Sequence, residues 1–120
     1  MQIGDAARQA GTTTRALRYY EQQGLLSADR TGQGYRCYSD ASIRRVRNIR
    51  ELLALGFTVD DVRMFAELLD QELPARFEVA DESGRCDTAL RVTQQRVAAL
   101  DERISHLTDL RDRLNQRLGW

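Results

Sequence analysis

The sequence predicts an all-α-dominated chain of five helices with one small β ribbon. Three observations carry this. Residues 3–55 hold amphipathic helical segments separated by glycine-containing turns. Residues 35–38 alternate in the manner of a short strand, and residues 87–118 run without proline or glycine while apolar side chains recur every three or four positions. The expected organisation is a winged helix-turn-helix unit over residues 1–70, a connector over 71–86 and a coiled-coil dimerisation helix over 87–120.

The first helix is expected at about Ile3–Ala10, ending in a turn at Gly11. The second begins at Thr13 and runs through Arg15, Leu17, Arg18, Tyr19 and Tyr20 to Gln23-Gly24, where glycine suits a helix C-terminus. Two short helices joined by a glycine turn make a helix-turn-helix, whose second helix enters the DNA major groove. Arg15 and Arg18, three apart, share a helical face with Tyr19 beside them. Arginine reads guanine bidentately or grips phosphate, and a tyrosine hydroxyl donates to phosphate. Tyr20 is divided between DNA contact and core packing, because it lies near Leu17 and the wing. Thr13 and Thr14 open the helix, where hydroxyls and free amides meet phosphate; capping alone explains at least one of them.

A turn-forming stretch over residues 27–34 leads into Tyr35-Arg36-Cys37-Tyr38, read as the strand of a wing. Two apart on a strand, Arg36 and Tyr38 share one face, and Tyr35 and Cys37 share the other. A third helix over residues 41–55, capped by Ser39 or Asp40, repeats Ile43, Val46, Ile49, Leu52 and Leu53 at helical spacing. Arg44, Arg45 and Arg47 at its start read chiefly as a solvated face. Gly56 ends it. Thr58-Val59-Asp60-Asp61 fits a capping box that opens a fourth helix through Val62, Phe65 and Leu69.

The long helix carries a heptad seam. Leu90, Val97, Ile104 and Leu118 take one core position and Leu100, Leu107 and Leu114 the other, interrupted by Thr93 and Arg111. At 1.5 Å per residue its length is about 48 Å. An apolar seam that long needs a partner helix, so the chain is expected to be a homodimer.

The net charge of zero hides an asymmetry. Residues 1–56 hold nine arginines against five acids, and residues 57–120 hold nine against thirteen. A basic half that meets phosphate and an acidic half that does not are the expectation. All eighteen basic residues are arginine, which a GC-rich genome explains more simply than selection for bidentate contacts. No membrane span or signal-peptide pattern is present, so the expected compartment is the cytoplasm, and Cys37 and Cys86 are expected as thiols. An enzyme has little support: no nucleophile–base pair, phosphate-binding glycine loop or metal-ligand cluster can be read.

Arg18-Tyr19-Tyr20-Glu21 with Gly24-Leu25-Leu26, then Gly34-Tyr35-Arg36-Cys37-Tyr38, then Leu55-Gly56-Phe57, in this order and ahead of a terminal coiled coil, resemble the MerR family of bacterial transcription regulators. The resemblance implies a homodimer in which two winged helix-turn-helix units are joined by an antiparallel pair of terminal helices. It implies double-stranded promoter DNA at the nucleoid and RNA polymerase as partners. It also implies a mechanism in which the dimer distorts a promoter whose spacer is over-long, and places Arg36 and Tyr38 on the DNA backbone.

Cys86 lies at the mouth of the long helix and admits three readings: a small helix-start residue, a redox or electrophile sensor, or a metal ligand with unusual partners. In metal-sensing members a cysteine here joins cysteines from a loop after the helix of the other subunit; this chain reads Leu118-Gly119-Trp120 there instead. A metal ion at Cys86 is therefore the only cofactor considered, and His106 the one imidazole able to assist it. The alternative to an effector-responsive regulator is an effector-independent architectural or developmental DNA-binding protein using the same winged helix-turn-helix.

Overall fold

A computed structural model describes residues 1–30, 36–78 and 85–119. In chain order its elements are α1 (Ile3–Ala10), α2 (Thr14–Gln22), β1 (Asp29–Arg30), β2 (Arg36–Cys37), α3 (Asp40–Ala54), α4 (Val59–Arg63) and α5 (Arg85–Asn115). No described helix is long and apolar enough to cross a membrane.

Local hydrogen-bond chemistry sets most of the boundaries. Gly11, at φ 71°, closes α1 in the left-handed region and turns its amide back onto the last carbonyls. Two residues on, the Thr13 hydroxyl accepts from the Ala16 amide at 3.1 Å and starts α2. Ser39, rather than Asp40, caps α3 by accepting from the Ser42 amide. Both halves of the capping box between Thr58 and Asp61 are formed at α4.

Two elements differ from expectation. Asp29 and Arg30, in the stretch read as a turn, pair antiparallel with Cys37 and Arg36 to complete the ribbon. Backbone pairing needs no apolar alternation, so this strand left no mark on the sequence. The fourth helix is regular only over Val59–Arg63; beyond it the chain tightens into turns in which most amides reach three residues back. Val62, Phe65 and Leu69 nevertheless all face inward. Asn48, buried on α3, secures this irregular segment by donating to the carbonyls of Leu69 and Gln71 at 2.8 and 2.7 Å.

The core gathers Leu17 of α2, Ile43, Val46 and Ile49 of α3, and Val62 and Phe65 around α4. Phe57 meets the Phe65 ring edge-on at 5.0 Å, and Phe77 of the connector packs on Phe65 at 5.5 Å. Ala89 and Val92 join the same core. The start of α5 thus belongs to the DNA-binding half, and the expected boundary at residue 87 does not separate two packing units. Past this point α5 leaves the body, and over its 31 residues it extends about 46 Å.

Long-range arginine bonds orient the first two helices. Arg47 and Arg50 of α3 donate to Gln9 O and Ala10 O, at the C-terminal end of α1, at 2.8 and 2.9 Å. Arg45 donates to Leu25 O and pairs with Asp70 at 2.9 Å. Guanidinium groups at a helix C-terminus satisfy orphan carbonyls and complement the helix dipole. The expected solvated face is therefore corrected for Arg45, which is half-buried, whereas Arg47 stays exposed while its guanidinium bonds the end of α1.

Candidate nucleic-acid interface

With Leu17 and Tyr20 turned inward, the exposed side of α2 carries Arg15, Arg18, Tyr19 and Gln22. Their spacing of three, four and seven residues makes one stripe along the helix. Tyr19 is 43% exposed, and its ring lies 6.2 Å from that of Tyr20. Gln22, not among the expected contacts, shares the Arg15–Arg18 stripe, and that spacing is the signal that marks it. A glutamine amide hydrogen-bonds adenine bidentately, as an arginine does guanine. Thr13 stands exposed at the start of α2 but uses its hydroxyl as the cap, and Thr14 is half-buried beside it.

Tyr20 is resolved in favour of the core: it is 7% exposed. Burial raises its pKa above the ordinary 10.0, opposed in part by the nearby Arg50 charge. Tyr38 is corrected outright. It is 1% exposed, and its hydroxyl donates to the Glu21 carboxylate on the inner side of α2. The inward turn of Tyr38 follows from its place just past β2, where the chain leaves the ribbon and its strand alternation stops applying. Arg36 lies in β2, but its side chain, like all of Tyr35, lies outside the described residues. Arg44 is exposed on α3.

On α5, Leu90 is half-buried, whereas Val97, Leu100, Ile104, Leu107 and Leu114, and Leu118 just past its end, are 39–70% exposed. A run of apolar side chains left in water over five turns is an unfilled interface.

Cys86, in the first turn of α5, is buried, and Cys37 is half-buried. The N-terminal ammonium group lies 3.4 Å from the Cys37 sulfur and donates to Tyr38 O at 3.0 Å. His106 is exposed on α5. Among the described residues no three His, Cys, Asp or Glu side chains come together as a metal site.

Residues 1–69 match the family described as MerR HTH family regulatory protein, and residues 43–117 match that described as MerR, DNA binding. The HTH-type transcriptional regulator HmrR of Rhizobium leguminosarum bv. viciae is 31% identical over 111 residues, covering 92% of this chain and 78% of the relative. The structure of the transcription regulator PbrR691 from Ralstonia metallidurans CH34 in complex with lead(II) is similar with a TM-score of 0.77 at 24% identity. It covers 97% of this chain and 83% of the other. HiNmlR, a MerR family regulator lacking the sensor domain and bound to promoter DNA, gives a TM-score of 0.55 at 21% identity, covering 98% and 86%. These two structures share the fold. Together with the helix-turn-helix geometry, the two family matches over most of its length show that the chain belongs to the MerR family of DNA-binding transcription regulators, which are not enzymes.

Proposed function

We propose that the chain acts as a homodimer that grips two half-sites of a promoter with its α2 stripes and distorts the DNA between them. The reading rests on one observation above all: the apolar seam of α5 from Val97 to Leu114 is exposed in the single subunit. An antiparallel partner helix would cover it and set two α2 helices at a defined separation. Bending or untwisting a promoter costs several kcal/mol, so the protein's conformation decides whether the −35 and −10 elements face RNA polymerase together.

A signal through Cys86 belongs to this reading as a redox or electrophilic input. The thiol sits where α5 enters the core, and at 9% exposure an adduct would need the first turn of α5 to shift. PbrR691, similar in fold, was solved in complex with lead(II), and a metal ion at Cys86 stands beside the thiol-reactive input in this reading. An effector-independent DNA-binding protein is the second reading, and the HiNmlR structure, a family member without a sensor domain on promoter DNA, favours keeping it.

The test is a fluorescence-resonance measurement of DNA end-to-end distance on the native promoter, with wild type and Leu107→Asp. Wild type should sediment as a dimer and shorten the distance. Leu107→Asp places an unpaired charge in the seam and should yield monomers that neither bend the DNA nor bind it tightly. A Leu107→Asp protein that still dimerises and bends the promoter would remove the reading.

A further inference from the structure

We propose that α4 is a rigid spacer that sets the angle of α2 relative to α5, with Arg96, Asp61 and Arg63 as its positioning residues. This rests on the homodimeric promoter reading above, and concerns which side chains fix the separation of the two recognition helices.

The two ends of this five-residue helix are tied to different elements. At its start, one oxygen, Asp61 Oδ2, accepts the Thr58 amide at 2.9 Å and also Arg96 Nε and Nη2 of α5 at 3.0 and 2.8 Å. The carboxylate that closes the cap of α4 is thus the one that holds α5. Both side chains are shielded, at 21% and 23% exposure. At the other end, Arg63 donates from Nε and Nη2 to the carbonyl of Gln23 at 3.1 and 2.9 Å, and from Nη2 to Gln23 Oε1 at 2.7 Å. Gln23 is the residue that ends α2. Asp60, one turn back, pairs with Arg63 and orients it.

Helix geometry explains how so short an element reaches both ways. Residues two apart on an α-helix point about 200° from one another, so Asp61 and Arg63 face nearly opposite directions. Val62 between them is fully buried and pins α4 to the core. A hydrogen-bonded, packed turn does not deform continuously, so a displacement of α5 passes to α2 instead of being absorbed. The connection runs Gln23, Arg63, α4, Asp61, Arg96, and every link in it is a charge-assisted or capping bond.

The experiment compares Arg63→Gln, Arg96→Gln, the double variant and Arg96→Lys in the full chain. The probes are a duplex selected from random sequences by the wild-type protein and the same duplex with one half-site scrambled. If these residues position α2, each glutamine variant should stay dimeric and lose at least about 5-fold in affinity for the full duplex, with half-site affinity unchanged. The double variant should lose no more than the worse single variant, and Arg96→Lys, which keeps the charge, should bind close to wild type. Half-site affinity falling in parallel, full-duplex affinity unchanged, or single losses that multiply would each overturn the proposal. A wild-type protein that binds both duplexes equally well would instead bring down the homodimer reading, and this inference with it.

Discussion

The hydroxyl of Tyr38 donates to the carboxylate of Glu21, joining the exit of the wing to the inner side of the recognition helix across 17 positions of chain. A tyrosine expected to hold DNA therefore holds the helix proposed to face the DNA. Tyr38→Phe removes a hydrogen bond to a charged acceptor and should cost about 1–2 kcal/mol of stability in urea unfolding. Operator affinity well below the melting temperature should stay within about two-fold, since the bond is expected to contribute stability of order 1 kcal/mol and not a phosphate contact. Unchanged stability with a large loss of affinity would return Tyr38 to the DNA surface.

Gly11 and Gly24 form a natural controlled pair. Both sit at similar positive φ, 71° and 74°, but an added Cβ would meet Arg50 Nη1 at 3.0 Å at Gly11 and open space at Gly24. Each alanine substitution should cost about 1–2 kcal/mol from the left-handed backbone. Gly11→Ala should lose up to about 1 kcal/mol more, because Arg50 must give by a few tenths of an ångström and its bond to Ala10 O is weakened. In an Arg50→Met background that extra loss should vanish, as read by thermal unfolding of the four proteins.

Arginines that look alike in the sequence should separate in a salt titration of DNA binding. Arg18→Ala, on the exposed stripe, should cost about 1–3 kcal/mol and relax preference at one base pair. Arg47→Ala should leave the salt slope unchanged while lowering stability by about 1 kcal/mol, because its guanidinium is committed to Gln9 O. A slope reduced by about 0.9 in Arg47→Ala would instead identify a phosphate contact.

Acid should weaken the tie between α4 and α5. Burial works to raise the pKa of Asp61, but the Thr58 amide, the Arg96 guanidinium and the Thr58 hydroxyl outweigh it, leaving the carboxyl below its ordinary 3.8. A folded value below the unfolded one means that this stabilisation is fully present above the unfolded pKa. It is lost as the pH falls through the folded value. Acid unfolding monitored by circular dichroism should thus show a component below about pH 4 that Asp61→Asn removes. An identical acid limb in the variant would show that Asp61 is not responsible.

Helix caps, the capping box at Thr58 and Asp61, the inward rows of α3 and the heptad of α5 were all legible in the sequence, because each depends on residues within about a turn of one another. Composition and local spacing by themselves determined a winged helix-turn-helix followed by a long amphipathic helix. Three matters were decided only by the tertiary structure: which arginines bond backbone carbonyls of other elements, which way Tyr38 points, and which part of α5 joins the core. Arg45, Arg47, Arg50 and Arg63 find their carbonyl acceptors 20 to 40 positions away. Tyr38 finds Glu21 on a different element, and Ala89 and Val92 are drawn into a core assembled from α2, α3 and α4. A guanidinium, a phenol or a small apolar face carries no local preference for such partners. The choice is made when packed helices bring an unsatisfied carbonyl, a carboxylate or an apolar gap within reach.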